Sequence, residues 1–225
     1  MRGTPSKRLL PITINLVIMA ACLFGSAGRT DWPNAWLLII LSFAGSVAGS
    51  IVVWRDPGLA AERRNVKAGK PWDKAIVSVV VLFGPAATWI TAGLEVRSHG
   101  LRAFPFTASI VAAMMALLGT AVVVWAMASN RFFSAVVRIQ KERGHTVVTG
   151  GPYRFVRHPG YAGMAAFMLA TPLVLNSRWA FVPAALTTGV LVLRTALEDF
   201  TLQRELDGYA DYACRVRCKL VPRLW

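Results

Sequence analysis

Acidic side chains are scarce in this chain. Eleven Asp and Glu stand against 25 Lys and Arg in 225 residues, and charged residues of both signs make up only 16%. A soluble domain of this size carries about 25% charged residues, so a fold wetted on every side is excluded. Cysteine is equally sparse, with three. Cys22 falls in an apolar run, and Cys214 and Cys218 sit four apart in a basic C-terminal stretch. Two thiols fall short of the four ligands that a structural zinc takes, so no metal site is expected. Three sequence signatures are also missing: the phosphate-cradling Walker loop, the Gly-x-Gly-x-x-Gly turn of dinucleotide folds and the Gly-x-Ser-x-Gly elbow of serine hydrolases.

What the chain has instead is long uncharged runs. Leu9 to Gly28, Ala35 to Trp54 and Ala75 to Leu94 are 20 residues each, Ala103 to Asn130 is 28, Pro159 to Ser177 is 19 and Trp179 to Leu193 is 15. About 18 apolar residues suffice to suggest a membrane span. Six spans are therefore expected, the last and shortest pairing with the fifth in a hairpin turned at Asn176-Ser177-Arg178. Lipid offers the backbone no hydrogen-bond partners, so the spans should be helices.

The basic residues alternate between loops. If both termini and every second loop share one side, that side holds 21 of the 25 Lys and Arg, and the other holds only Arg29, Arg97, Arg102 and Arg178. This is the positive-inside pattern, with both termini cytoplasmic and the basic face against anionic headgroups. No separate basic domain exists to carry nucleic acid. Disulfides are rare on the cytoplasmic side, where this topology puts Cys214 and Cys218.

Polar residues concentrate after residue 130. Arg131 to Gly144 interleaves Phe132, Phe133, Val136, Val137 and Ile139 with basic residues and predicts an interfacial amphipathic helix ending at Gly144. Leu59 to Ala68 predicts a short surface helix, and Glu198 to Tyr212 a helix leaving the membrane. Between them, Gly150 to Tyr161 reads G-G-P-Y-R-F-V-R-H-P-G-Y. Pro159 suits the first position of a helix, whose free N–H groups could receive an anion. Tyr153 and Tyr161 could cover a cation or an adenine ring. Arg194 lies four residues before Glu198, on the same helical face. The pair reads either as a local ion pair or as a site in which Glu198 takes an ammonium and Arg194 an anion. A zwitterionic ligand carrying an adenine and a cation suits such a set.

At these residues the sequence resembles the isoprenylcysteine carboxyl methyltransferase family, which shares features with phospholipid N-methyltransferases. The resemblance rests on Arg157-His158-Pro159-Gly160-Tyr161, an apolar hairpin and the acidic pair Glu198-Asp199. Gln140, His145-Thr146-Val147-Val148 and Tyr153 lie upstream, and Gly208-Tyr209, Tyr212 and Arg215-Val216 downstream. It covers about residues 130 to 225. The resemblance implies S-adenosylmethionine as cofactor. Gln140, His145, Thr146, Val147, Val148, Tyr153, His158, Pro159, Gly160, Tyr161 and Glu198 would line its site, and Arg194 would be the substrate-side arginine. Asp199 stands where the family has a second glutamate.

The expected protein is thus all-α and polytopic, with about six membrane helices plus cytoplasmic interfacial helices. Residues 1–130 form a four-helix region on the lipophilic substrate side, and 131–225 a methyltransferase region with the cofactor site. The expected activity is methyl transfer to a small lipophilic acceptor, a prenylcysteine-like carboxylate or a thiol, in a membrane of bacterial inner-membrane type. A phospholipid amine is the alternative acceptor. An NADPH-dependent reductase of sterol-reductase type and a non-enzymatic membrane accessory protein are the alternative classes. Methyl transfer needs in-line positioning more than acid–base help, so Arg194→Ala is expected to lower transfer while sparing cofactor binding.

Overall fold

The computed structural model describes residues 5–100 and 104–225; Arg2 and Arg102, counted above among the basic loops, lie outside them. The described residues contain helices and no strands. The helices are α1 (Pro5–Ala27), α2 (Pro33–Arg55), α3 (Pro57–Arg64), α4 (Pro71–Ser78), α5 (Gly84–His99), α6 (Phe106–Ser129), α7 (Pro159–Val174), α8 (Phe181–Glu205) and α9 (Tyr209–Arg215). A π-helical stretch, Val79–Phe83, joins α4 to α5 without a break. Its cause is local: Pro85 offers no N–H to residue 81 and its ring crowds that carbonyl, so the turn before it widens.

Five helices are long and apolar enough to cross a membrane, namely Leu10–Ala27, Pro33–Arg55, Pro71–His99, Thr107–Ser129 and Phe181–Glu205. The fifth expected span is a shorter apolar helix, Pro159–Val174. Their outward faces carry large apolar side chains such as Phe83, Val111, Leu118 and Leu186, as a lipid-facing surface requires. This is an integral membrane protein.

Small residues let the helices close on one another, as is usual where lipid removes the hydrophobic drive. A Cβ added at Gly163 would lie 2.3 Å from the Gly119 carbonyl oxygen, and one at Gly119 would lie 2.6 Å from that of Gly163. This reciprocal pair sets the α6–α7 crossing. Gly93 of α5 is pressed against Ser26 and the backbone of α1 in the same way. The main core, including Met19, Leu23, Trp32, Leu38, Val96 and Leu175, lies near the α1–α2 and α7–α8 turns. Asn176, in the turn between α7 and α8, has φ +58°, as the hairpin reading requires. At that end Glu95 accepts from Ser177, Arg178 and the Trp179 N–H.

Four expectations change. Arg131 to Gly144 is not a helix; only the single 3-10 turn Lys141–Arg143 forms, closed by Gly144 at φ +60°. The amphipathic spacing is real, since Phe132, Val136 and Val137 are buried. The backbone, however, finds its partners elsewhere. The Asp73 carboxylate accepts from the Val137 N–H (2.7 Å), Arg194 donates to the Ala135 carbonyl (3.0 Å), Gln140 donates to that of Phe132 (2.7 Å), and the Lys70 N–H donates to that of Val137 (3.0 Å). The weakest expected span becomes a 25-residue helix, α8, because Arg194 and Asp199 are satisfied inside the protein rather than by water. The helix expected over Glu198 to Tyr212 is in fact the end of α8, a break at Gly208 (φ +78°), and α9. The surface helix expected over Leu59 to Ala68 starts two residues earlier. Asp56 caps it, accepting from the Gly58 and Leu59 N–H groups, and a 3-10 turn at Val66–Ala68 follows.

Candidate functional site

The acidic pair on α8 divides its work. Asp199 faces inward and is almost wholly buried. Arg157 donates to both its oxygens (2.7 and 2.9 Å), Tyr209 donates at 3.0 Å, Gln203 at 2.8 Å, and His158 Nε2 lies at 3.2 Å. Arg157 also reaches the carbonyls of Val216 and Arg217, and the Arg157 and His158 N–H groups donate to Cys218 and Lys219. Asp199 thus ties the Arg-His-Pro segment to α8, α9 and the C-terminal stretch.

One residue earlier, Glu198 turns toward a small cavity, where it accepts from the Tyr161 hydroxyl. The spanning helices hold five acids, Asp73, Glu95, Glu198, Asp199 and Glu205. Asp73, Glu95, Asp199 and Glu205 each have a basic partner, and Glu198 has none among the described residues. A carboxylate within a spanning helix that forms no ion pair, with only the more distant Arg194 charge acting on it, is costly and marks a site for a cation.

The cavity measures about 100 Å³. Its wall includes His145, Thr146, Val147, Val148, Tyr153, His158, Gly160, Tyr161 and Glu198, along with Phe133, Tyr209 and Tyr212. The backbone groups of Thr146, Val147 and Val148 make no hydrogen bond among the described residues. They are free to read the edge of a flat polar ring. Tyr212 donates to the Tyr153 carbonyl (2.6 Å), and Asn130 donates to the Tyr153 hydroxyl (3.2 Å). Burial pushes the Tyr153, Tyr209 and Tyr212 phenols up, Tyr212 to about 12, so all three stay neutral.

Two expected residues sit differently. Gln140 is fully buried behind the strip, donating to Phe132 and accepting from Arg143, and does not reach the cavity. Pro159 opens α7 and is buried. Arg194 does not pair with Glu198. It is bound bidentately to Asp73 (2.7 and 3.1 Å), with its guanidinium 5.1 Å above the Tyr161 ring. Asp73 comes from α4, 121 residues away, and is 0% exposed. It meets the planar guanidinium with two oxygens, a geometry that a side chain one turn along the same helix does not offer here.

A second, larger cavity of about 1320 Å³ opens among α1, α2, α5, α6, α7 and α8. One wall is a stripe of small residues on α2: Ser42, Gly45, Ser46, Gly49 and Ser50. The opposite walls include Trp89, Phe167 and Met168, and Arg55, Arg63 and Arg64 sit at one end.

Residues 111–204 match the profile of the isoprenylcysteine carboxyl methyltransferase (ICMT) family. Over these residues the chain is similar to the ICMT family. It is 32% identical over 121 residues to a probable protein-S-isoprenylcysteine O-methyltransferase of Oryza sativa subsp. indica, a match covering 50% of this chain and 60% of the rice protein. It is 30% identical over 90 residues to protein-S-isoprenylcysteine O-methyltransferase B of Arabidopsis thaliana, covering 39% and 46%. The match thus spans about three fifths of the rice protein's length. The fold is similar to a solved structure of the eukaryotic intramembrane Ras methyltransferase ICMT, with TM-score 0.56 and 14% identity, across 99% of this chain and 88% of that one.

The matched region contains Glu198, Asp199 and the Arg-His-Pro segment, yet parts of the site lie outside it. Asp73, Glu62, Tyr209 and Tyr212 were not singled out as site residues from the sequence. The usable signal was the scarcity of acid itself: a carboxylate beside an apolar run must have a partner. Glu62 is buried against Arg138 (2.9 and 2.6 Å) and Ser134. Burial opposes its charge, but these bonds hold its carboxyl below the ordinary range.

His145 packs on Phe132, with ring centroids 4.4 Å apart, and its Nδ1 accepts from the Gln140 N–H (3.3 Å). Burial, then the charges of Arg138 and Arg143, lower it to about 4. A folded-state value below the unfolded one means that acid protonates the unfolded chain first. His145 therefore costs stability as pH falls from about 6.5 toward 4. In detergent, the wild-type melting temperature should drop more steeply between pH 7 and 5 than that of His145→Asn, whose amide oxygen can still accept. Parallel profiles would show that His145 titrates normally.

Proposed function

We propose that this protein is an integral-membrane, S-adenosylmethionine-dependent carboxyl methyltransferase acting on a lipophilic, prenylcysteine-like acid. The observation that carries the reading is Glu198. It is the one acid of the described spanning helices without an ion pair, and it stands in an aromatic cavity beside a far larger apolar one. The match to the ICMT family over residues 111–204 and the names of the plant relatives point the same way.

The residues fit the cofactor. Glu198 complements its cationic end, Tyr153 and Tyr212 supply flat apolar walls, and the free backbone of the strip 146–148 complements a base edge. Ligand pockets begin at roughly 300 Å³, whereas this cavity is about 100 Å³, so loading must displace part of its wall. When bound, the cofactor would supply an electrophilic methyl group on a sulfonium to an acceptor carboxylate oxygen, leaving as the neutral thioether, with no proton for the protein to remove. The protein's share is positioning and exclusion of water. Asp199 fixes Arg157 and His158, Tyr161 aims Glu198, and Asp73 fixes Arg194 above Tyr161. In this reading the larger cavity receives the lipophilic chain from the bilayer. Its walls come from both parts of the chain, since Phe167 and Thr187 join residues of α1–α6. The concentration of basic loops at the end bearing the site supports a cytoplasmic orientation of that end.

The test is incubation of purified protein with methyl-labelled S-adenosylmethionine and either N-acetyl-S-farnesylcysteine or a total membrane lipid extract. Label should enter a product that releases methanol in base, as a methyl ester does. Base-stable label on a phospholipid headgroup would assign the amine reading instead. No transfer with either acceptor would reject the methyltransferase reading.

A further inference from the structure

Among the described residues, charge pairing around the two cavities leaves three cations without an ion pair, Arg55, Arg63 and Arg64 at one end of the large cavity, and of these only Arg63 is not exposed. Arg194 is neutralised by Asp73, Arg157 by Asp199, and Arg138 by Glu62 and Glu142. Arg63, in the last turn of α3, is half-buried and makes no hydrogen bond or ion pair among the described residues. Its one recorded contact is with the Phe133 ring, 5.8 Å from guanidinium carbon to centroid. Arg63 lines the large cavity, and Phe133 lines the small one. On its other side Phe133 lies against Gly160, where an added Cβ would meet its ring at 2.9 Å. Arg63 and Phe133 thus meet between the two cavities, and Arg63 is the half-buried unpaired cation on the large-cavity side of that contact. Burial without a partner pulls its guanidinium down, so an anion arriving there is welcome.

We propose that Arg63, not Arg194, binds the carboxylate of the lipophilic acceptor, holding it at the end of the large cavity next to Phe133. The inference rests on the carboxyl methyltransferase reading and names the residue that selects an acid over its neutral analogues. A guanidinium already bound bidentately to a carboxylate has little left for a second one, whereas a free guanidinium offers its fork whole. The large cavity takes the apolar chain, and the small residues of α2 leave it the room.

The test compares binding of N-acetyl-S-farnesylcysteine with that of its carboxamide to the full-length protein in detergent. Wild type should prefer the acid. A charge-assisted pair of this kind corresponds to roughly tenfold to a hundredfold in affinity. Arg63→Gln should abolish the preference by weakening the acid alone, with amide and S-adenosylmethionine affinities unchanged. Arg63→Lys should keep part of it, and Lys67→Gln, which removes the same charge from an exposed position, should keep all of it. A second measurement needs no variant: the acid, and not the amide, should protect Arg63 of the wild type from phenylglyoxal, read by peptide mass spectrometry. An unchanged acid-to-amide ratio in Arg63→Gln, or no acid preference in wild type, overturns the proposal. The activity reading fails separately. If wild type methylates the acid while the ratio ignores Arg63, that reading stands and this one falls. If the preference depends on Arg63 but no ester forms, the anion site stands and the activity falls.

Discussion

Arg194→Ala is expected to cost about 3–5 kcal/mol of stability, because it strips a fully buried carboxylate of its only cation. Asp73 is 0% exposed, and its remaining recorded bond is from the Val137 N–H. The same change frees the Ala135 carbonyl and uncovers the Tyr161 ring. The segment 131–140 hangs on these bonds, so the site wall should loosen with the helix contact. In a thermal melt followed by size-exclusion chromatography, the variant should unfold well below wild type or fail to stay monodisperse. Cofactor binding should fall in step. This reverses the sequence-based expectation that Arg194→Ala would spare cofactor binding, and the reason is the partner from α4. Removing both charges should restore much of the stability, since replacing a buried pair by neutral groups is often close to neutral. Asp73→Asn with Arg194→Met keeps an acceptor for the Val137 N–H and fills the space of the guanidinium. Methyl transfer by this double variant then measures what the Arg194 charge does for the reaction, apart from the fold. A single Arg194→Ala protein with wild-type melting behaviour would remove the pair from the account.

The contrast between Arg194 and Glu198 shows what the sequence carried and what it did not. The apolar runs, the turn at Asn176 and the start of α7 at Pro159 were legible because each depends on neighbours within a turn or two. The assembly of His145, the strip 146–148, Tyr153, His158, Tyr161 and Glu198 around one cavity was legible through family resemblance, not periodicity. Arg194 and Asp73 lie 121 residues apart, and Arg138 and Glu62 lie 76 apart. No local pattern announces such pairs. Segment 131–144 misled for a related reason. Its apolar residues do face inward, but its backbone is satisfied by side chains of Asp73, Arg194 and Gln140 rather than by its own helix. The end of α8 misled because charge ended the apolar count at Arg194, while the helix continues wherever its charges are paired inside the bundle.

Glu198→Gln should weaken S-adenosylmethionine binding by roughly tenfold to a hundredfold, the range of one charge-assisted bond, while leaving the fold intact. The substitution is nearly isosteric, and the amide oxygen can still accept from Tyr161. What disappears is the negative charge that the cavity holds without an ion pair. Stability should therefore hold or rise, since removing an unpaired charge from a spanning helix relieves a desolvation cost. This is opposite in sign to Arg194→Ala, and the opposition is the useful part. Both residues lie on α8, one turn apart, and both were candidates for one ligand site. Loss of the ion-paired residue harms the fold first, and loss of the unpaired one harms the ligand first. Calorimetry with S-adenosylmethionine, alongside a melt of each variant, separates the two. Tyr161→Phe should fall between wild type and Glu198→Gln in cofactor affinity, because it leaves the charge but frees its aim. Wild-type affinity in Glu198→Gln would mean that the cofactor's cation is held elsewhere, and the assignment of the small cavity would go with it.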